Sequence, residues 1–148
     1  MTATLEKTLD REVLIKLIHN KLRWSESIVR SLSEASLNEI YSYVIKGYLV
    51  TKVKTNTDGY VINMRIPKKI AVNYGIGYGD YFDIKVNLMK KEVLLLKIGR
   101  KEIKVKSNRF ITLPVKLAEK KLLKGTDDTL VVAMEDRILL KSFSYMIN

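Results

Sequence analysis

Cysteine is absent from the 148 residues, which excludes disulfides, thiolate catalysis and cysteine-ligated zinc together. Histidine occurs once, at His19, so no histidine metal cluster can be assembled, and a Ser-His-Asp triad is not expected. No apolar run approaches the roughly 20 residues that a bilayer-spanning helix needs. The amino-terminal MTATLEKTLDREVL has no apolar signal core. A soluble, cytoplasmic chain without a membrane segment is therefore expected. Acidic residues are the other scarce class, with 16 Asp and Glu against 27 Lys and Arg, a net charge of +11. That excess favours acidic partners, chiefly nucleic acid or an anionic surface. No cofactor is called for: Gly75-Ile-Gly77-Tyr-Gly79 lacks the Gly-Lys-Ser/Thr of a phosphate loop. Those glycines follow a helical pattern and precede a strand, the order of a helix cap and a tight turn.

Residues 1–47 read as three helices. Leu9, Val13, Leu17, Ile18 and Leu22 recur at helical spacing and predict one apolar stripe. Ser25 suits the cap of a short helix over 26–32. Ser36-Leu-Asn-Glu39 has the spacing of a capping box, opening a helix that carries Leu37, Ile40, Tyr41 and Val44 and stops at Gly47. Trp24, Tyr41, Tyr43 and Tyr48 read as packing residues, and His19 as a boundary residue.

After residue 47 the apolar period changes to two. Tyr60, Ile62, Met64 and Ile66 alternate with polar neighbours up to Pro67, which suits the start of a short helix over 68–73. The turn Gly79-Asp80 leads to Phe82, Ile84, Val86 and Leu88. A polar corner follows, and then Val93-Leu94-Leu95-Leu96, a run apolar enough to be buried on both faces. The same order then repeats: a short strand over 103–106, a turn at Ser107-Asn108, and a strand from Arg109 to Leu113 ending at Pro114. A helix over 115–122 follows, and then 125–128 in place of the Gly-Asp turn. Allowing one extra residue at that turn, Leu130, Val132 and Met134 answer Phe82, Ile84 and Val86, and Arg137-Ile138-Leu139-Leu140 closes the copy. The two prolines of the chain thus mark the same place in two tandem units, 48–101 and 102–148.

The stretch NMRIPKKIAVNYGIGYGDYFDIKV resembles the AbrB/MazE swapped-hairpin pattern, an "R-I-T-I-P-K-x-I" strand, a short helix, then "L-G-I-x-x-G-D" and a hydrophobic alternation. RFITLPVKLAEKKLLKGTDDTLVVAM is similar to it and keeps the "I-T-L-P" core. The resemblance implies an α+β fold: the three-helix segment followed by two AbrB-like swapped-hairpin β units that form an intertwined small barrel. One such unit cannot bury both faces of its hairpins, so it exchanges a hairpin with a second unit, here within the chain.

The family consists mostly of DNA-binding regulators, some of them antitoxins, which present basic side chains around the first hairpin. Carried over residue by residue, this selects Lys52, Lys54, Arg65, Lys68 and Lys69 in copy one. In copy two it selects Lys104, Lys106, Arg109 and Lys116. The family's Arg four residues before the Pro is Asn63 in copy one and Phe110 in copy two. Arg65 is displaced from that position by two residues, which keeps its face of the strand, and Arg109 by one, which reverses it.

Charge placement agrees with that selection. Residues 1–47 hold seven bases and six acids; 48–101 hold eleven and four; 102–148 hold nine and six. Ten of the eleven excess charges therefore fall in the repeats, as phosphate binding requires. Asp80, Asp127 and Asp128 sit where Asp makes local turn hydrogen bonds. The expected function is a double-stranded DNA-binding transcriptional regulator, and no nucleophile–base pair supports an enzyme. The alternative is a protein-interaction module, antitoxin-like or docking on a macromolecular machine. Residues 1–47 would serve for partner docking or for homodimer and higher homo-oligomer formation. A helix-turn-helix reading of this segment is disfavoured, because 33–46 offers only Lys46 as a base.

Overall fold

The computed structural model describes residues 10–97, 102–124 and 126–147, so Gly125 of the expected second turn lies outside the described residues. No helix among them is long and apolar enough to cross a membrane. They fall into two compact units, one within 1–47 joined by the carboxy-terminal Met146 and Ile147, the other Tyr48–Tyr145.

The first unit is built from α1 (Arg11–Leu22), α2 (Glu26–Ser31) and α3 (Glu34–Ile45). Ser25 caps α2 by accepting from Ile28 N at 3.4 Å. The third helix begins a turn earlier than the capping-box spacing suggests: Ser33, not Ser36, is the cap and accepts from Ser36 N at 3.1 Å. Gly47, at φ +83°, follows α3 in the left-handed region. The buried face of α1 is Leu14, Ile15 and Ile18, while Val13 and Leu17 remain 43% and 40% exposed. Of the expected stripe Ile18 is buried and Leu22 half-buried, and Leu9 lies outside the described residues. Val13 and Leu17 give way to Leu14 and Ile15, because α1 is apolar around more than half its circumference and two stripes fit its period. His19 Nδ1 lies 2.6 Å from the carbonyl of buried Trp24, and Arg30 pairs with Glu12 and Glu26. The chain's end returns to this unit through Ser33 N donating to Met146 O at 2.8 Å and a bridge between Leu32 and Ile147.

The second unit holds β1 (Leu49–Thr57), β2 (Val61–Arg65), α4 (Lys68–Tyr74), β3 (Tyr81–Asn87) and β4 (Glu92–Leu96). It continues with β5 (Ile103–Lys104), β6 (Phe110–Pro114), α5 (Lys116–Glu119), β7 (Asp127–Ala133) and β8 (Arg137–Ser142). Its eight strands form one antiparallel sheet in the order β5-β3-β4-β8-β7-β1-β2-β6. The sheet nearly closes on itself, since the end strands approach each other and Lys106 N donates to Phe110 O at 2.7 Å. The described residues form an α+β fold, with five α-helices and a nearly closed barrel-like sheet.

The two copies are interleaved strand by strand. Across copies, β1 pairs with β7, β2 with β6, β3 with β5 and β4 with β8. The registers obey an approximate two-fold: Val53↔Thr129 has its counterpart in Ile103↔Phe82, and Arg65↔Phe110 in Asn63↔Thr112. The axis passes between the buried pair Met64 and Ile111. Under this symmetry Thr129, Val131 and Ala133 answer Phe82, Ile84 and Val86, not Leu130, Val132 and Met134. Val131 and Ala133 join the barrel core; Leu130 and Val132 are buried on the opposite face. A strand buried on both faces carries no alternation, so its phase cannot be read from its sequence. In β4 only Val93 and Leu95 are fully buried, and Leu94 and Leu96 are half-buried, against the expectation of two closed faces. Helix α5 is a single turn, far shorter than 115–122, because Lys121 takes a left-handed φ of 58°.

Candidate nucleic-acid interface

Alternation on β2 and β6 sets the face. Ile62, Met64, Ile111 and Leu113 point into the core, leaving Asn63, Arg65, Phe110 and Thr112 on the outside, two from each side of the axis. The Arg65 guanidinium lies 5.3 Å from the Phe110 ring centroid and donates through Nε to Asn108 O at 3.0 Å. Arg109, next along, donates through Nε to Ile66 O at 2.9 Å, while Ile66 N donates to Arg109 O. The two arginines are therefore laced across β2 and the β5–β6 connection by reciprocal bonds. Their terminal N–H groups have no protein partner among the described residues.

Asn108 and Arg109 both occupy the left-handed region, with φ of 58° and 62°, and Phe110 N closes the turn on Ser107 O. Two successive left-handed residues match the twist of a tight hairpin. Asn tolerates that conformation, whereas Arg incurs a cost of about 1–2 kcal/mol. The β1–β2 tip is wider: Asp58 Oδ1 accepts from Tyr60 N and Val61 N, at 2.9 and 3.2 Å. Those two bonds hold the Asp58 carboxyl below the usual carboxylate range. Tyr60 stands 81% exposed beside it, not on the buried face where alternation put it.

The remaining candidates spread around this strip. Lys106 Nζ reaches Thr112 Oγ1 at 3.2 Å, and Lys104 on β5 lies over Tyr78 at 5.5 Å. Lys52 and Lys54 stand on β1 opposite Leu130 and Asp128. Lys68 and Lys69 open α4 after Pro67, and Lys116 opens α5. The geometry directly links Arg65 and Arg109, and Lys106 through Thr112 beside them; it records no such link for Lys52, Lys54, Lys68, Lys69 or Lys116. Among the described residues none of the nine forms an ion pair, whereas Arg30 and Arg137 are paired with carboxylates. Sequence reasoning passed over Asn108, Asn63 and Thr112 as parts of the face; the Ser107-Asn108 turn was the signal available for Asn108.

Other constellations have local explanations. Asp80 Oδ2 accepts from Gly77 N at 2.8 Å within its turn. Asp127 accepts from Ser144 Oγ at 2.7 Å, Ser144 N at 3.0 Å, and Ser142 Oγ. No cluster able to hold a metal ion occurs among the described residues. An open cavity of about 260 Å³ lies between the end of α4 and the β7–β8 turn, lined by Tyr74, Ile76, Phe82, Lys97, Arg137 and Ile138 among others. Its two cations are already engaged, Lys97 with the carbonyls of Tyr74 and Gly75, Arg137 with Asp136.

No family model, no curated protein and no solved structure compared with the chain gives a significant match.

Proposed function

We propose that the chain is a double-stranded DNA-binding transcriptional regulator of the AbrB-like swapped-hairpin kind, with the barrel unit as the DNA-binding part. The observation that carries the reading is the set of nine Lys and Arg on and around the interleaved hairpins, none of them in an ion pair among the described residues. Cations outside ion pairs gain most from phosphate, because neutralisation releases condensed counterions and no protein salt bridge must first be broken. The cross-copy pairing of hairpins adds support, since interleaving within one chain is what the motif resemblance implies.

A mobility-shift titration with duplex DNA, repeated across salt concentrations, tests the proposal. Contact with roughly five to eight phosphates gives a log–log slope of about −4.5 to −7. Affinity that ignores salt, or no binding even at low salt, overturns it.

A protein-docking role for the helical unit is a second reading. It is favoured by the exposed Val13, Leu17 and Ile45, the last at 64% exposure, and a shallow groove lined by Leu17, Lys21, Tyr41, Val44 and Ile45.

A further inference from the structure

The two halves of the barrel share a backbone but not the side chains that would meet DNA. Across the axis at Met64 and Ile111, Arg65 stands where copy two has Thr112, and Phe110 where copy one has Asn63. The Asn56↔Asn63 pair of copy one corresponds to the bond between Lys106 and Phe110 in copy two, so Lys106 replaces an asparagine. Because β2 and β6 run antiparallel, Arg65 lies at the end of the strip where the second hairpin turns. Arg65, Arg109, Asn108 and Phe110 are thereby collected at one end. At the other end the strip runs through Val61 and Pro114 to Asp58, Gly59 and Tyr60, with a carboxylate at the tip in place of a guanidinium.

Resting on the DNA-binding reading, we infer that one barrel recognises a non-palindromic duplex site, with Arg65 and Arg109 reading bases at one end only. A symmetric homodimer reads matched half-sites because it presents the same side chains twice. This barrel presents its arginines once. Each is braced through Nε on a backbone carbonyl and leaves the fork free, the arrangement that suits bidentate recognition of guanine O6 and N7. Such a pair is the commonest base-specific contact, and its presence at one end makes the two ends of the site unequal. The acidic tip leaves the far end without a base-reading cation, while Lys54, which continuation of the Asn56↔Asn63 register sets beside Arg65, contacts phosphate without reading sequence.

The test is selection of duplexes bound by the full chain from a randomised pool, with chain-to-duplex stoichiometry by sedimentation. The expected consensus is non-palindromic within the span of one chain. Two chains on an inverted repeat, each covering a half that is not itself palindromic, is the same result doubled. Arg65→Ala and Arg109→Ala should each relax base preference by about tenfold or more at one end of that span, while Lys54→Ala lowers affinity equally for all sequences. An inverted repeat spanned by a single chain overturns the inference and leaves DNA binding standing. So does preference lost at both ends in the arginine variants. Absence of salt-sensitive DNA binding defeats the underlying reading as well.

Discussion

Arg109 pairs a conformational cost with a guanidinium whose terminal N–H groups have no protein partner among the described residues. Its left-handed φ is the conformation glycine adopts freely, and its side chain gives the fold one hydrogen bond, to Ile66 O. Arg109→Gly removes a strain of about 1–2 kcal/mol. It loses a partly exposed hydrogen bond of about 0.5–1.5 kcal/mol and adds some freedom to the unfolded chain. Thermal melts should therefore place the variant near the parent, while DNA affinity falls by about tenfold. Unchanged affinity would remove Arg109 from the interface. Neutralising Arg65, Lys68 and Lys69 together should weaken DNA binding with the melting temperature nearly unaltered, because all three are exposed and none is in an ion pair among the described residues. Asp127 is a different case. Burial alone would raise its carboxyl, but the donors on Ser142, Ser144 and Asp128 outweigh that and hold it below the ordinary range. A depressed carboxyl contributes stability above its unfolded pKa of about 3.9, and that stability is lost as pH falls through the lower folded value. Asp127→Asn should destabilise at neutral pH by about 1–3 kcal/mol. Its denaturation midpoint should also vary less between roughly pH 4 and pH 2 than the parent's.

Elements show where sequence reading succeeds and where it stops. The strand β2 was legible because one face is buried and the other wet: Ile62, Met64 and Ile66 are closed and Arg65 is open, as period two requires. The strand β7 was not, because all five residues from Thr129 to Ala133 are fully buried and either phase satisfies the pattern. The start of α3 was misread because Ser36 has a glutamate three residues on and Ser33 does not, so the capping-box rule selected the wrong serine. The paired arginines needed the fold: their sequence separation hides that β2 and the second hairpin turn are neighbours. Ser33→Ala should destabilise the helical unit by about 1 kcal/mol, since it removes the acceptor for Ser36 N. Helicity melts of Ser33→Ala against Ser36→Ala separate the two assignments. A larger loss in Ser36→Ala would restore the later cap.

For the whole molecule, the interleaving predicts which fragments can exist. Strand β1 pairs with β7 from Leu49↔Ala133 to Thr55↔Asp127, β2 with β6 along five residues, and β4 with β8 along four. Copy one alone therefore loses a hydrogen-bonding partner for each of its four strands, briefest for β3 with its two-residue partner β5, leaving open edges of the kind that recruit other chains. It also exposes Ile62, Met64, Ile66 and Leu95, which the second copy helps to bury. At about 1.5–3 kcal/mol per large side chain, that loss is comparable with the stability of a small domain. A fragment of residues 48–145 should fold without the helices, soluble and with a single cooperative melt. A fragment of residues 48–101 should instead aggregate or associate with a second copy that supplies the missing strands. Light scattering and thermal denaturation of the two fragments decide between the possibilities. A monomeric fragment 48–101 with its own cooperative transition would mean that the copies are independent domains. The barrel would then be a packing of two finished units instead of one shared sheet.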